Sequence, residues 1–247
     1  MTFYKLAMPL DMPTVCHDSC MTAILLSYTP EGFVIGADGR RTDGEKVVSD
    51  ETRKIYAVKS GSLAGAFAWS GNTVIHREGK PAFDFAKATS VLLPTIPSSS
   101  FPELVQMFCQ ALSSALSAFA VFGFPTGKAN LLIAAYFGDE PWIADIQVPF
   151  QNGQAQKPFV ERQGQPSVGR TFLFSGSKAI ADQVWQGGEP PIVQSSEEAV
   201  ELIRRYITAC SENPNADTNA SMIGGHIHIA VVRPDKLKWI DLPPAQS

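Results

Sequence analysis

The chain has 247 residues, of which 45% are hydrophobic and 18% are charged, and its formal net charge is −4. Because the chain is long enough to bury a sizeable core and has no Lys/Arg-rich run, its composition indicates a globular protein and argues against a nucleic-acid partner. Four cysteines are too few for a disulfide scaffold and no apolar run is long enough to span a membrane, so we expect a soluble cytoplasmic protein.

The first residues of the chain, 1–21, show no hydrophobic periodicity and are interrupted by Pro9 and Pro13. We expect an irregular leader or propeptide over this range, or translation that starts at Met21. The remaining chain contains no internal repeat and no linker, which predicts a single domain over residues 22–247.

A β-hairpin is predicted directly after the leader. Two apolar runs, residues 23–28 and residues 33–37, flank a Thr-Pro-Glu-Gly turn. Short apolar runs on both sides of a Pro/Gly turn are typical of paired antiparallel strands. If the residues next to the turn pair with each other, Thr22 lies beside Asp38 at the open end of the hairpin.

Strand-like and helix-like segments alternate along the rest of the chain. Apolar runs predict strands over residues 54–58, 63–69, 130–137, 142–148, 171–174, 222–232 and 236–240. Apolar residues at helical spacing predict helices over residues 81–93 and 101–122, and two more that begin after the capping residues Ser177 and Ser195. The Gln-, Gly- and Pro-rich stretch 151–170 is predicted to be a long connection. Because the helices come in pairs rather than one per strand, this order favours antiparallel sheets with helix pairs packed outside them.

Three polar residues at predicted strand ends could carry chemistry: Thr22, Asp38 and Lys54, which follow one another at equal intervals. A threonine hydroxyl is a poor nucleophile unless a base takes its proton. If Met21 is removed, the free α-amine of Thr22, with a reference pKa of about 7.7–8.0, could act as that base. Asp38 would hold Lys54 charged and in place. The simpler alternative is a surface ion pair beside a hairpin.

Other candidate sites are weaker. His226 and His228 share one face of a predicted strand, but no further ligand is spaced to complete a zinc site. The loop from Gly123 to Lys128 has one residue too few for a phosphate-binding loop. We therefore expect neither a metal nor a cofactor.

Several segments resemble proteasome β-type subunits and their bacterial relative, the heat-shock-locus peptidase. The segments are T-A-I-L-L-S-Y, G-F-V-I-G-A-D-G-R, K-I-Y-A-V and A-G-A-F-A. The resemblance implies that Thr22 is the nucleophile, and that Asp38, within a D-x-R motif with Arg40, and Lys54 complete the catalytic set. Ser175, in F-S-G-S, matches the serine that supports the active-site amine.

The same resemblance implies a fold, a substrate and partners. The fold is α+β, a four-layer αββα sandwich of N-terminal-nucleophile hydrolase type, with two antiparallel sheets between two helix layers. The oxyanion and substrate region falls near Ala68, Ser70 and Gly71, with Arg40 close by. Ala220 stands where the family often has an Asp that supports the amine, and Asp217 or Ser221 is a candidate replacement. A polypeptide substrate, a homo-oligomeric ring and an unfolding ATPase partner are implied as well.

We therefore predict a threonine-type endopeptidase in which Thr22 acts through an acyl-enzyme after residues 1–21 are removed. Two alternatives remain at this point. One is an N-terminal-nucleophile amidohydrolase acting on a small amide. The other is a non-catalytic, proteasome-like structural subunit, which the long leader and Ala220 favour.

Overall fold

The computed structural model describes residues 22–43, 46–77, 80–119, 126–186, 188–217 and 220–241. The predicted leader over residues 1–21 and the end of the second predicted helix lie outside these ranges.

The described residues form fifteen strands and four α-helices. The strands are β1 (Ile24–Thr29), β2 (Gly32–Asp38), β3 (Arg41–Asp43), β4 (Lys46–Ser49), β5 (Ile55–Ser60), β6 (Leu63–Gly71), β7 (Val74–Arg77), β8 (Lys80–Asp84), β9 (Gly127–Phe137), β10 (Glu140–Gln151), β11 (Gln154–Ala155), β12 (Phe159–Gly164), β13 (Thr171–Ser175), β14 (Ile227–Val232) and β15 (Leu237–Asp241). The helices are α1 (Phe85–Leu92), α2 (Phe101–Phe119), α3 (Lys178–Val184) and α4 (Ser196–Glu212).

Most strands belong to two antiparallel sheets. The five-stranded sheet has the order β13-β1-β2-β14-β15, and the six-stranded sheet has the order β11-β10-β9-β6-β5 with β12 paired to β10. The predicted hairpin is confirmed, since β1 pairs with β2 and Tyr28 lies opposite Phe33. The strands predicted over residues 54–58 and 63–69 are confirmed as well, and they pair with each other, with Ile55 opposite Ala68 at the start of β5.

Three groups of buried side chains hold these elements together. One group, which includes Leu26, Ile35 and Leu132, joins the inner faces of the two sheets. The residues next to them in β1 and β2, Leu25 and Val34, point the other way and pack against α3 and α4. A third group joins α1 and α2 to the six-stranded sheet. Because β2 is covered on both faces, all of its residues are buried, including Asp38 at its end.

The predicted four-layer αββα sandwich is wrong. The structure is mostly β-sheet, with 42% strand against 28% helix, and it consists of curled antiparallel sheets with four helices. Two of these helices, α1 and α3, have only eight and seven residues. At a rise of about 1.5 Å per residue, helices this short do not make continuous layers over a sheet.

The first predicted helix begins later than its sequence pattern indicated. Residues 80–84 form β8, which pairs with β7, and α1 starts only at Phe85. Asp84 ends the strand and caps the helix, because its Oδ1 accepts a hydrogen bond from Lys87 N at 3.0 Å. The proline at position 81, interpreted as a helix start, lies in the strand instead.

The stretch predicted as a long connection, 151–170, contains the strands β11 and β12. The polar and exposed residues of β12 hide its strand character from a search for apolar alternation. Two helix caps are confirmed, since Ser177 accepts from Ile180 N and Ser195 accepts from Glu198 N, both at 3.1 Å. Of the helices in the described ranges, none combines the length and the apolar character that crossing a membrane requires.

Candidate active site

The ends of three strands meet at one edge of the space between the sheets. Thr22 precedes β1, Asp38 ends β2, and Lys54 immediately precedes β5. The hairpin of the five-stranded sheet brings Thr22 and Asp38 together, whereas Lys54 lies just before β5 of the six-stranded sheet. Their side chains are 5%, 0% and 8% exposed, respectively, so their polar atoms interact largely shielded from water.

Lys54 joins the other two residues. Its Nζ donates to Asp38 Oδ1 at 2.9 Å and to Thr22 Oγ1 at 3.1 Å. The threonine hydroxyl oxygen therefore accepts a hydrogen bond from an ammonium group that is itself held by a carboxylate. Such an arrangement stabilises negative charge that develops on Oγ1 when the hydroxyl loses its proton.

The carboxylate of Asp38 is held by the backbone around it. Oδ1 accepts from Ala23 N at 2.9 Å, and Oδ2 accepts from Arg40 N and from Gly224 N, both at 3.2 Å. Together with Lys54, these donors leave the carboxylate little freedom to rotate. Asp38 thus fixes the position of the ammonium group and ties the residue after Thr22 to the end of β2.

Burial changes the acidity of both members of the ion pair. Burial raises the pKa of Asp38, while the charge and hydrogen bond of Lys54 and the backbone N–H groups of Ala23 and Gly224 oppose that shift. Burial likewise lowers the pKa of Lys54, against the opposing effect of Asp38. Burial therefore disfavours the charged form of each partner, and the opposite charge of the other partner favours it.

Ser175 contacts Thr22 from the neighbouring strand. Its hydroxyl donates to Thr22 O at 2.6 Å, and both residues are buried. Ser175 on β13 lies opposite Ile24, the first residue of β1. Its hydroxyl therefore reaches the backbone just before that strand. Ser175 was predicted to support the amine of Thr22; the contact in the structure is with the carbonyl oxygen of the same residue.

The turn after Ser175 is held by α4. Gly176 has φ +137°, and a Cβ there would collide with Tyr206 Oη, so glycine is required. Tyr206 Oη donates to Ser177 O at 3.1 Å, and Ser177 Oγ donates to Asp217 Oδ2 at 2.6 Å.

Asp217, one of the two candidates to replace the missing Asp at position 220, therefore acts on this turn through Ser177. Its other oxygen, Oδ1, accepts from Ala220 N at 2.7 Å. Asp217 thus links the turn after Ser175 to the segment that leads to Gly224.

Arg40 braces the loop that supplies Gly224. Its Nε donates to Asp50 Oδ1 at 2.8 Å and its Nη1 donates to Ile223 O at 3.5 Å. A Cβ on Gly224 would meet the guanidinium carbon at 2.7 Å, so the absence of a side chain there lets Arg40 lie against the loop. Arg40 therefore acts on Asp38 through its own backbone N–H and through the position of Gly224.

The predicted oxyanion residues lie at the end of β6. Ala68 occupies the last position paired with β5, opposite Ile55, the residue after Lys54. Ser70 and Gly71 have their neighbours on β9, since Ser70 Oγ accepts from Asn130 Nδ2 at 3.4 Å and Gly71 pairs with Ala129. Of this group, the structure thus brings Ala68 nearest to the start of β5.

The two histidines of the rejected zinc site lie beside each other, and His228 contacts the segment before Lys54. Their ring centroids are 5.0 Å apart; His226 is exposed and His228 is buried. His228 Nε2 lies 2.9 Å from Thr52 O, and burial lowers the pKa of His228 to about 4. Among the described residues, no group of three His, Cys, Asp or Glu side chains could hold a metal ion.

Sequence reasoning missed two contributors to this site. Gly224 is the first of two consecutive glycines to which the sequence assigned no role, although its N–H binds a carboxylate 186 positions away in the chain. Tyr206 lies among the apolar residues of a predicted helix, and no local pattern distinguishes it from a core residue. The Gly-Gly pair was the one available signal, because consecutive glycines indicate close backbone approach.

The fold resembles solved structures of Anbu proteins. A Gly-1 mutant of Anbu from Hyphomicrobium sp. strain MC1 has 12% identity and a TM-score of 0.54, covering 89% of this chain and 87% of that chain. Anbu, described as an ancestral beta-subunit, from Yersinia bercovieri has 11% identity and a TM-score of 0.53, with the same coverage. The Anbu complex from Pseudomonas aeruginosa, described as a helical assembly, has 10% identity and a TM-score of 0.55, covering 92% of this chain and 88% of that one.

These likenesses correct the family suggested by the sequence segments. The structural neighbours are Anbu proteins, which are proteasome-like but form a family distinct from the proteasome β-type subunits and the heat-shock-locus peptidase. No family model and no curated protein matches the chain. At identities this low the likeness shows only that the fold is shared.

Proposed function

We propose that this protein is a threonine-type endopeptidase whose nucleophile is Thr22, freed by removal of residues 1–21. The observation that carries the proposal is the position of Lys54 Nζ, within hydrogen-bond distance of both Thr22 Oγ1 and Asp38 Oδ1. A surface ion pair beside a hairpin does not require these three side chains to be buried together, as they are here.

The proposed reaction has two halves. The α-amine of Thr22 takes the hydroxyl proton while Oγ1 attacks the peptide carbonyl carbon, and the Lys54 ammonium stabilises the developing negative charge. The proton then passes to the leaving amine as the C–N bond breaks, which leaves an ester on Thr22. Water, deprotonated by the same amine, attacks the ester and releases the acid and the free hydroxyl.

The other groups of the site orient the reacting residue. Asp38 keeps Lys54 charged and ties Ala23 in place, and Ser175 holds the carbonyl of Thr22. The end of β6 at Ala68 is our candidate for the N–H donors that stabilise the oxyanion. No metal or cofactor has a role in this scheme.

We also propose that the protein is a single cytoplasmic domain over residues 22–247 that assembles with further copies of itself. The Anbu complex from Pseudomonas aeruginosa is described as a helical assembly, which supports self-association without deciding between a filament and a closed ring. Electron microscopy of the purified protein distinguishes these arrangements. An unfolding ATPase as partner of a polypeptide-degrading assembly remains a prediction.

The test compares three forms of the protein: the full chain, a form in which Thr22 is the first residue, and that form with Thr22→Ala. We expect the form that begins at Thr22 to cleave fluorogenic peptides and to carry an acyl adduct on Thr22 in mass spectra. We expect the full chain and Thr22→Ala to be inactive, because one has no free α-amine and the other has no hydroxyl.

The outcomes separate the alternatives. Equal turnover by the active form and Thr22→Ala would rule out Thr22 as nucleophile. Hydrolysis of small amides but not of peptides would favour the amidohydrolase, and turnover of neither would favour a structural subunit.

A further inference from the structure

His228 occupies the space between the two segments that carry the ion pair. A Cβ on Gly39, the residue after Asp38, would meet His228 Nε2 at 3.0 Å, so the ring lies directly beside this glycine. The same Nε2 lies 2.9 Å from the carbonyl oxygen of Thr52, two residues before Lys54. One buried side chain of β14 thus contacts the chain just after Asp38 and just before Lys54.

The two segments are also tied to each other at this point. Thr52 N donates to Gly39 O at 2.8 Å, and Thr52 O accepts from His228. Both backbone polar atoms of Thr52 therefore have partners. A larger residue at position 39 would clash with backbone oxygens of Asp50 and His226, each 2.7 Å from its Cβ. This packing leaves Thr52 little room to move.

A second contact from the closing strands fixes the intervening residue. The Arg53 guanidinium lies 5.1 Å from the ring centroid of Trp239 on β15 and 5.3 Å from that of Tyr56 on β5. Its Nε donates to Ile55 O at 2.9 Å, and Tyr56 Oη donates to Arg53 O at 2.8 Å. The residues on the amino side of Lys54 are therefore held by β14 and β15 as well as by their own strand.

The imidazole of His228 is neutral in this position and donates one hydrogen bond. Since its partner is a carbonyl oxygen, Nε2 must carry a proton, and Nδ1 has no partner among the described residues. The charged and titratable groups that act on the ring are His226, Lys54 and Arg53, and burial is the main cause that lowers the pKa of His228 to about 4, so the imidazole is neutral near pH 7. A neutral donor holds Thr52 without placing another positive charge beside Lys54.

We propose that His228 is a positioning residue that sets the location of Lys54 relative to Asp38 and Thr22, an inference that rests on the proposed function. It acts through the carbonyl of Thr52 and through the packing on Gly39. The closing strand β14 is therefore part of the structure that orients the lysine.

The first measurement uses the form that begins at Thr22 and compares His228→Gln with His228→Leu. Glutamine keeps an N–H donor that can reach Thr52, and leucine does not. We expect His228→Leu to lower kcat by on the order of tenfold to a hundredfold with KM nearly unchanged, because small misplacements of a catalytic group have effects of this size. We expect His228→Gln to stay within about threefold of the parent protein, because the donor is retained.

A matched control separates positioning from loss of stability. Leu112→Ala removes a fully buried side chain of α2, remote from Thr52 in the core group beneath the six-stranded sheet. A comparable fall in thermal midpoint with kcat unchanged is expected for this variant. If Leu112→Ala lowers kcat as much as His228→Leu does, or if His228→Gln and His228→Leu behave alike, His228 has no positioning role.

The second measurement does not depend on catalysis. Labelling of Lys54 by an amine-reactive reagent in the full chain, followed by peptide mass spectrometry, reports how often the buried ammonium becomes accessible. We expect His228→Leu to raise the labelling rate about fivefold and His228→Gln to leave it unchanged, because only the leucine variant loses the bond to Thr52. Unchanged labelling in His228→Leu overturns the inference. Absence of turnover in the parent protein with the expected labelling overturns only the proposed function.

Discussion

Two lysine–aspartate pairs in this protein have similar geometry and different surroundings. On α3, Lys178 Nζ lies 2.6 Å from Asp182 Oδ1, and these side chains are 55% and 43% exposed. At the candidate site, Lys54 Nζ lies 2.9 Å from Asp38 Oδ1, and these side chains are 8% and 0% exposed. The shorter contact is the weaker one, because water screens it and both partners are well solvated when apart. Burial, rather than distance, decides what each pair contributes.

The two histidines near the site repeat this contrast. His226 is exposed and His228 is buried, although their ring centroids are only 5.0 Å apart. Burial lowers the pKa of His228 to about 4. Burial in the fold therefore shifts the pKa values of Asp38, Lys54 and His228 at the candidate site. The following substitutions test this difference, in order of decreasing effect.

The largest effect is expected for Lys54→Met. Removing one partner of a buried ion pair leaves an uncompensated charge, which typically lowers the free energy of unfolding by about 3–5 kcal/mol. Urea titration monitored by fluorescence measures this loss. Because the pKa of Asp38 is already raised by burial, the variant should regain stability as the pH falls and the carboxylate is protonated. A loss below about 1 kcal/mol would mean that the pair behaves like a surface pair.

A pH-dependent loss of stability is expected from His228. The unfolded chain takes up a proton near the ordinary pKa of 6.5, whereas the folded protein does so only near 4. The stabilisation is therefore complete above pH 6.5 and is lost as the pH falls toward 4, by roughly 3 kcal/mol at 1.36 kcal/mol per pKa unit.

Chemical unfolding at a series of pH values measures this dependence, with His228→Gln and His226→Gln as the matched pair. The pH-dependent loss of stability between pH 6.5 and pH 4 should disappear in His228→Gln, which removes the buried ring, and persist in His226→Gln, which keeps it. The same pH profile in both variants would assign the dependence to other groups.

A smaller effect is expected for Tyr206→Phe. This substitution removes a buried hydrogen bond to Ser177 O and should lower the free energy of unfolding by about 1 kcal/mol. Ser114→Ala, which removes an exposed hydrogen bond to Gln110 O on α2, should leave stability unchanged or slightly raised. Thermal midpoints of the two variants test this ranking, and equal losses would contradict it.

The smallest effect is expected for Lys178→Met. An exposed pair of this kind contributes at most about 0.5 kcal/mol, and less at high salt. Unfolding in low and high salt measures the difference. A loss as large as that of Lys54→Met would remove the distinction between the two regions.

The sequence by itself determined the local features of this protein. The turn between β1 and β2 sets their register, which brings Thr22 and Asp38 together, and Ser177 and Ser195 begin their helices as their positions predict. These features depend on residues a few positions apart, whose backbone geometry limits the alternatives. Even so, β8 and β12 were missed, because a proline and a run of polar residues hid their strand character.

The tertiary structure decided what the local pattern could not. Equal spacing and a family resemblance placed Lys54 in the candidate set, but its contact with Thr22 requires two sheets to pack with one specific offset. The N–H of Gly224, the ring of His228 and the burial of the ion pair likewise depend on that packing. The expected family and the four-layer sandwich were wrong for a related reason. Short shared motifs constrain the strands around the site and leave helix length and sheet curvature to contacts distant in sequence.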